Sequence, residues 1–157
     1  MHPKISQPIR TRIATLSDLD GVAPLFDAYR QFYKQKPDHA LARKFIRARL
    51  KNKESVIIIA TEKTRGVIGF CQLYPSFCSV EAKPIYVLYD LFVIPEARHS
   101  GAGTKLLRAA ENIAAAKGMA RMDLTTAKTN KAAQAAYTSQ GWIRNEEFFM
   151  YSRRIPD

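Results

Sequence analysis

The run Ile85-Tyr86-Val87-Leu88-Tyr89-Asp90-Leu91-Phe92-Val93 leads into Arg98-His99-Ser100-Gly101-Ala102-Gly103, and an alanine- and leucine-rich segment follows at once. β-Branched and aromatic residues make the first stretch a strand suited to the middle of a sheet, with Asp90 as its only charge. Leu106, Leu107, Ala110, Ile113 and Ala114 recur three or four apart, which predicts a helix over 103–117 stopped by Gly118. A strand that turns into a helix through Gly-x-Gly points to a mixed α/β domain. Without Cβ atoms, Gly101 and Gly103 let main-chain N–H groups approach a ligand closely, and the opening amides of a helix attract negative charge. The turn therefore predicts a phosphate or pyrophosphate site, although an ordinary tight turn shares the same short pattern.

The rest of the chain extends this plan. A strand is expected over 9–14, helices over 18–33 and 39–52, and strands over 56–60 and 67–74 joined by a polar loop. The second of these strands should stop before Pro75, leaving an irregular connection over 76–84 into the motif strand. Beyond the motif helix come a strand over 121–125, a helix through Asn130 to Tyr137, the pair Gly141-Trp142, and two strands over 142–144 and 148–153. The 157 residues suit one domain over 1–157 that buries a sizeable core. No apolar run approaches the ~20 residues of a membrane span, and the first residues lack a signal-peptide core, so the expected location is cytoplasmic. Cys71 and Cys78, seven apart without a Cys-x-x-Cys or Cys/His cluster, read as reduced structural thiols, and no metal is expected.

Arg98, Gly101 and Gly103 match the central motif of the GNAT superfamily of acetyl-coenzyme A-dependent N-acetyltransferases, and Asn130, Tyr137 and Gly141-Trp142 extend the match, so the C-terminal half resembles that superfamily. The wording of 90–93, 101–103 and 130–137 is similar to its branch of histone and polyamine acetyltransferases. The resemblance implies a GNAT-like α/β fold: a mixed, mostly antiparallel central sheet of six to seven strands flanked by about four helices. It also implies a sheet that splays after the motif strand, with the pantetheine arm of acetyl-CoA lying along the main chain of Leu91, Phe92 and Val93. The amides of Ser100, Gly101, Ala102, Gly103 and Thr104 would hold the pyrophosphate. Arg98 would pair with a phosphate, and His99, Lys105 or Arg108 would add neutralising charge or simply be solvated.

Direct transfer to an amine needs a base, an oxyanion donor and an acid for the departing thiolate. By resemblance, Val93 N–H is the oxyanion donor and the Tyr137 hydroxyl the acid; a phenol of pKa about 10 protonates a thiolate of about 8.5 only slightly uphill. A core tyrosine is the alternative for Tyr137. Asn130, seven residues earlier, is a favoured helix N-cap as well as a cofactor contact, and both roles stand. Asp90 is the first candidate base, acting through water, but a salt bridge or contact with the acceptor amine would also explain it; Glu81 and Glu96 are weaker substitutes. No cysteine, Ser-His pair or metal cluster suggests a covalent relay.

The acceptor is expected to be a small-molecule or peptide primary amine, bordered by Tyr29, Tyr33, Tyr74, Phe77 and Tyr86, with Phe32 beside them. Twenty-five Lys and Arg against 14 Asp and Glu leave a formal charge of +11. Arg43, Lys44, Arg47, Arg49 and Lys51 concentrate it on one helix, where a solvated face competes with nucleic acid or an acidic protein as partner. An excess of positive charge should repel polycations at long range. The second functional reading is thus a coenzyme A-binding module that docks nucleic acid with little turnover. Relatives commonly pair through their C-terminal strands, which implies a homodimer.

Overall fold

The computed structural model describes residues 7–157, which divide into a unit ending at Thr125 and a second unit, Thr126–Asp157. In the first unit, β1 (Arg10–Ile13) and a 3-10 turn (Leu16–Asp18) precede α1 (Leu19–Phe32) and α2 (His39–Asn52). Then follow β2 (Val56–Glu62), β3 (Gly66–Cys78), β4 (Lys83–Val93), α3 (Ala102–Ala116) and β5 (Met122–Asp123). The sheet runs β1-β2-β3-β4-β5, antiparallel until β5, which lies parallel to β4. This is a GNAT-like α/β fold: its sheet has five strands and, with α4 (Lys131–Ser139), there are four helices among the described residues.

The core under α1 and α2 joins Val22, Phe26, Ala42 and Ile46 to Ile57, Ile59, Phe70 and Phe92 from the sheet. Each large side chain buried there contributes roughly 1.5–3 kcal/mol before conformational entropy is deducted. Leu106, Leu107, Ala110 and Ala114 are the buried stripe of α3. On the basic helix α2, Arg43 pairs with Asp20, and Arg49 pairs with Glu54 at 3.0 Å while lying over the Phe45 ring.

Asp27, wholly buried, ties α1 to the start of α2. It accepts the Asp38 N–H at 3.0 Å, Gln31 Nε2 at 3.1 Å and Arg30 Nη1 at 3.3 Å, and His39 Nδ1 lies 3.4 Å away. Burial pushes its pKa up, yet the Asp38 amide, His39, Gln31 and Arg30 outweigh burial and hold it below the ordinary value. A depressed folded pKa adds stability above the unfolded pKa, and that gain disappears as pH falls through the folded value. Asp27→Ala should therefore lower the thermal midpoint at pH 7, and melts at successively more acid pH should show the deficit shrinking.

Three local expectations need correction. β3 runs through Pro75 to Cys78, because β2 pairs it only as far as Leu73. Past that point β3 has β4 alone beside it, and a proline with no N–H to donate is tolerated on a free edge. The connection over 76–84 is consequently a hairpin, closed by Ala82 N–H to the Ser79 carbonyl at 3.1 Å, with Phe77 opposite Pro84. The strands expected over 142–144 and 148–153 are absent among the described residues. The second unit holds α4 (Lys131–Ser139) and no strand, and Asn145 Oδ1 accepts the N–H groups of Glu147 and Phe148 in a local turn. A β-prone run such as Phe148 to Tyr151 forms a strand only where a partner supplies the ladder.

Candidate functional site

β5 pairs with β4 only at Tyr86 and Val87, so among the described residues β4 has a strand neighbour on one side only from Leu88 onward. Ile94 N–H donates to Ile68 O at 2.9 Å, toward β3. Strand alternation then turns the main chain of Phe92 to β3 as well, and that of Leu91 and Val93 to the opposite, unpaired edge. Of the three expected strand contacts, Leu91 and Val93 thus present main-chain groups at the open edge, whereas Phe92 is buried in the core.

The edge leads into the turn. After Pro95–Ala97, Arg98 Nε donates back to the Val93 carbonyl at 3.1 Å, and its guanidinium lies 5.7 Å from the centre of the Phe92 ring. His99 is exposed at φ 62°, and Ser100 Oγ donates to Ala97 O at 2.5 Å. Gly101, at φ 88°, caps α3, and Lys105 N–H makes the first bond of the helix to its carbonyl at 3.0 Å. The amides of Gly101, Ala102 and Gly103 precede that bond and have no acceptor inside the helix. Ala102 is buried, and Thr104 is half-buried in the same turn. A Cβ built on Gly103 would meet no atom within 4 Å. Lys105 instead reaches the Ile9 carbonyl through Nζ at 3.1 Å.

Asp90 sits on the α1 side of the sheet, 3 % exposed. Among the described residues no ion pair holds it, so the salt-bridge explanation finds no partner. Gln72 Nε2 donates to Asp90 Oδ2 at 2.5 Å, and Ser55 Oγ donates to Gln72 Oε1 at 2.7 Å. A carboxylate only accepts, so the amide must turn its NH2 to Asp90 and its oxygen to Ser55, which fixes the direction of the chain. The Tyr29 hydroxyl donates to the Tyr89 carbonyl at 3.0 Å and also reaches the Asp90 carboxyl. Burial raises the Asp90 pKa to about 6, against the opposing hydrogen bonds from Gln72 and Tyr29. The same burial and the Asp90 charge push Tyr29 far above its usual range, so it remains a phenol. A β-bulge creates this arrangement: Gln72 faces Asp90 and Leu73 faces Leu88, leaving Tyr89 as the extra residue.

The acceptor-side aromatics divide. Tyr29 and Tyr74 lie near Asp90, Tyr33 packs edge to face on Tyr29 at 5.1 Å, and Tyr89 stands against Tyr74. Tyr86 is buried beside β5, and Phe77 lies toward the hairpin tip, six residues along β4 from Asp90 by register or about 20 Å. In the second unit Asn130 Oδ1 accepts Ala133 N–H at 3.1 Å, which establishes the capping role. Tyr137 is half-buried, with its ring 5.9 Å from that of Trp142, whose N–H donates to the Tyr137 carbonyl at 3.1 Å.

Sequence reasoning passed over Ser55 and Gln72. A lone amide in the apolar stretch Val67 to Tyr74 was the available signal for Gln72, because a buried polar side chain requires partners. Ser55, just outside a strand, carries no comparable mark.

Residues 22–142 match the family model described as the acetyltransferase (GNAT) family. The chain is 46% identical over 145 residues to the "uncharacterized N-acetyltransferase YhfO" of Bacillus subtilis (strain 168), covering 92% of this chain and 97% of that protein. A crystal structure of a probable acetyltransferase superposes with a TM-score of 0.88 at 40% identity, over 94% of this chain and 99% of that one. The thialysine N-epsilon-acetyltransferase of Bos taurus is 32% identical over 75 residues, 48% of this chain and 44% of the bovine protein.

Proposed function

This chain belongs to the GNAT family of acetyltransferases, and from that premise we propose that it transfers acetyl from acetyl-CoA directly to a primary amine of a small molecule or peptide, within a ternary complex. The observation that carries this reading is the edge of β4, unpaired among the described residues, running into the first turn of α3, where a Cβ on Gly103 would meet no atom within 4 Å. Main-chain groups of Leu91 and Val93 suit the amides of an extended arm. The opening amides of α3 suit a pyrophosphate, with Arg98 beside them. Acetyl-CoA is the family's acyl donor and supplies the activated thioester.

The remaining chemistry falls to the chain's own groups. Asp90, with a pKa near the working range, takes the proton of the acceptor ammonium, and the Tyr29 hydroxyl links that buried carboxylate to the bulge. Val93 N–H stabilises the developing oxyanion. Tyr137 protonates the departing sulfur, a role drawn from its spacing to Asn130 and the family resemblance. A homodimer and the narrower place among histone and polyamine acetyltransferases rest on resemblance as well. The exposed Phe148, Phe149, Met150 and Tyr151 supply apolar surface for such pairing.

Two measurements on the purified chain test the reading. Titration calorimetry should register acetyl-CoA binding, and a panel of amines should release free thiol in proportion to acetylated product. Tyr137→Phe should then lower kcat about tenfold while leaving acetyl-CoA affinity within twofold, as expected for a proton donor that assists without binding. Absence of both binding heat and thiol release would defeat the proposal.

A further inference from the structure

We infer that the preferred acceptor is a monoamine carried on an aromatic or apolar arm, with its ammonium directed to Asp90 and its arm laid over Tyr33, Phe32 and Tyr89. This rests on the assignment of Asp90 as base and adds the chemistry of the acceptor. Two independent observations carry it.

The first is a set of aromatic rings whose contacts lead to the carboxylate through Tyr29 and Tyr74. The rings of Phe32 and Tyr33 meet edge to face at 5.2 Å, and those of Tyr33 and Tyr29 at 5.1 Å. Tyr29 bonds the Tyr89 carbonyl, and the Tyr89 ring stands edge to face with Tyr74 at 5.7 Å. Phe32, Tyr33 and Tyr89 are 54%, 45% and 67% exposed, a costly display of three large rings linked through Tyr29 and Tyr74 to one buried acid unless a ligand covers them. Aromatic faces hold both a flat apolar group and a cation, and a phenol adds one polar contact at little entropic cost.

The second observation is the state of the other acids on this side of the sheet. Asp18 is paired with Arg12, Asp20 with Arg43, Asp27 with Arg30, and Glu54 with Arg49. Among the described residues of α1, α2 and their flanks, only Asp38 lacks an ion pair, and its Oδ1 is held by the Leu41 N–H as the cap of α2. Lys34 and Lys36 follow Tyr33 directly, so a second positive charge on the acceptor would meet like charge at the rim. One buried acid without an ion pair and an aromatic wall fit one ammonium and one apolar arm.

The test compares three amines at saturating acetyl-CoA with the full chain: phenethylamine, ethanolamine and spermidine. Phenethylamine should exceed each of the others in kcat/KM by about tenfold or more, the usual worth of filling an apolar pocket. Tyr33→Ala and Phe32→Ala, both at exposed positions, should each cut the phenethylamine-to-ethanolamine ratio by about 2–5-fold, and Tyr33→Phe should keep it. Higher kcat/KM with spermidine, or ring removals that leave the ratio unchanged, would overturn the inference. Failure of the base assignment reads out separately, because an Asp90→Asn variant at full rate defeats that assignment while the ratio among amines in the unaltered protein still reports on the wall.

Discussion

Asp90→Asn should lower kcat by about 100-fold or more, the range for losing a positioned base, while acetyl-CoA binds as before. The expectation follows from burial and geometry together: Asp90 is 3 % exposed, without an ion-pair partner among the described residues, and its pKa is raised to about 6. A base with that pKa is mostly ionised at pH 7 and still accepts a proton, so kcat/KM should rise through an acid limb near pH 6 and flatten above it. Gln72 and Tyr29 hydrogen-bond the anion and oppose the effect of burial. Gln72→Leu and Tyr29→Phe should each move the acid limb to higher pH, a change that a purely structural role would not produce. The folding consequence has the opposite sign from that of Asp27. Because the folded pKa lies above the unfolded value, this group favours folding most below the unfolded pKa and loses that contribution as pH rises through the folded pKa. Asp90→Asn should therefore raise the thermal midpoint at pH 7 while nearly abolishing turnover, a trade expected where a buried charge serves chemistry. Full activity with an unshifted acid limb would exclude Asp90 as the base.

The motif region was legible because several local rules agree there. The β-branched strand, the Gly-x-Gly turn and the apolar stripe of α3 each specify the same strand-turn-helix, and α2 appears at its expected bounds because Asp38 caps it and Lys53 ends it in a left-handed conformation. Asn130 was readable for the same reason, since a cap is a contact between neighbours in sequence. What stayed hidden depends on partners distant in sequence. Pro75 lies within β3 only because β2 has already ended beside it. The strand expected over 121–125 shrinks to Met122–Asp123, paired at two positions of β4, and its early end is what leaves the edge open. The bulge that brings Tyr89, Asp90 and Gln72 together is a matter of register between two strands, invisible to either alone. The apolar residues after Trp142 show the converse: an aromatic run such as Phe148 to Tyr151, without a neighbouring strand in their unit, gives exposed chain.

Gly103→Ala should separate stability from binding. In a helix, alanine is favoured over glycine by up to about 1 kcal/mol, and the added Cβ would meet nothing within 4 Å, so the ligand-free variant should melt at a higher temperature. Among the described residues no packing contact explains a glycine there. If the pyrophosphate approaches the first turn of α3, the methyl group holds it away from the amides, and loss of one charge-assisted hydrogen bond weakens acetyl-CoA by roughly 10–100-fold. Gly101→Ala gives the contrast. With φ at 88°, Gly101 occupies a conformation that costs an L residue about 1–2 kcal/mol, so this variant should lose stability as well as affinity. Thermal melts without ligand and calorimetric titration with acetyl-CoA read the two effects independently. A Gly103→Ala protein that melts higher and still binds acetyl-CoA with unchanged affinity would place the anion elsewhere.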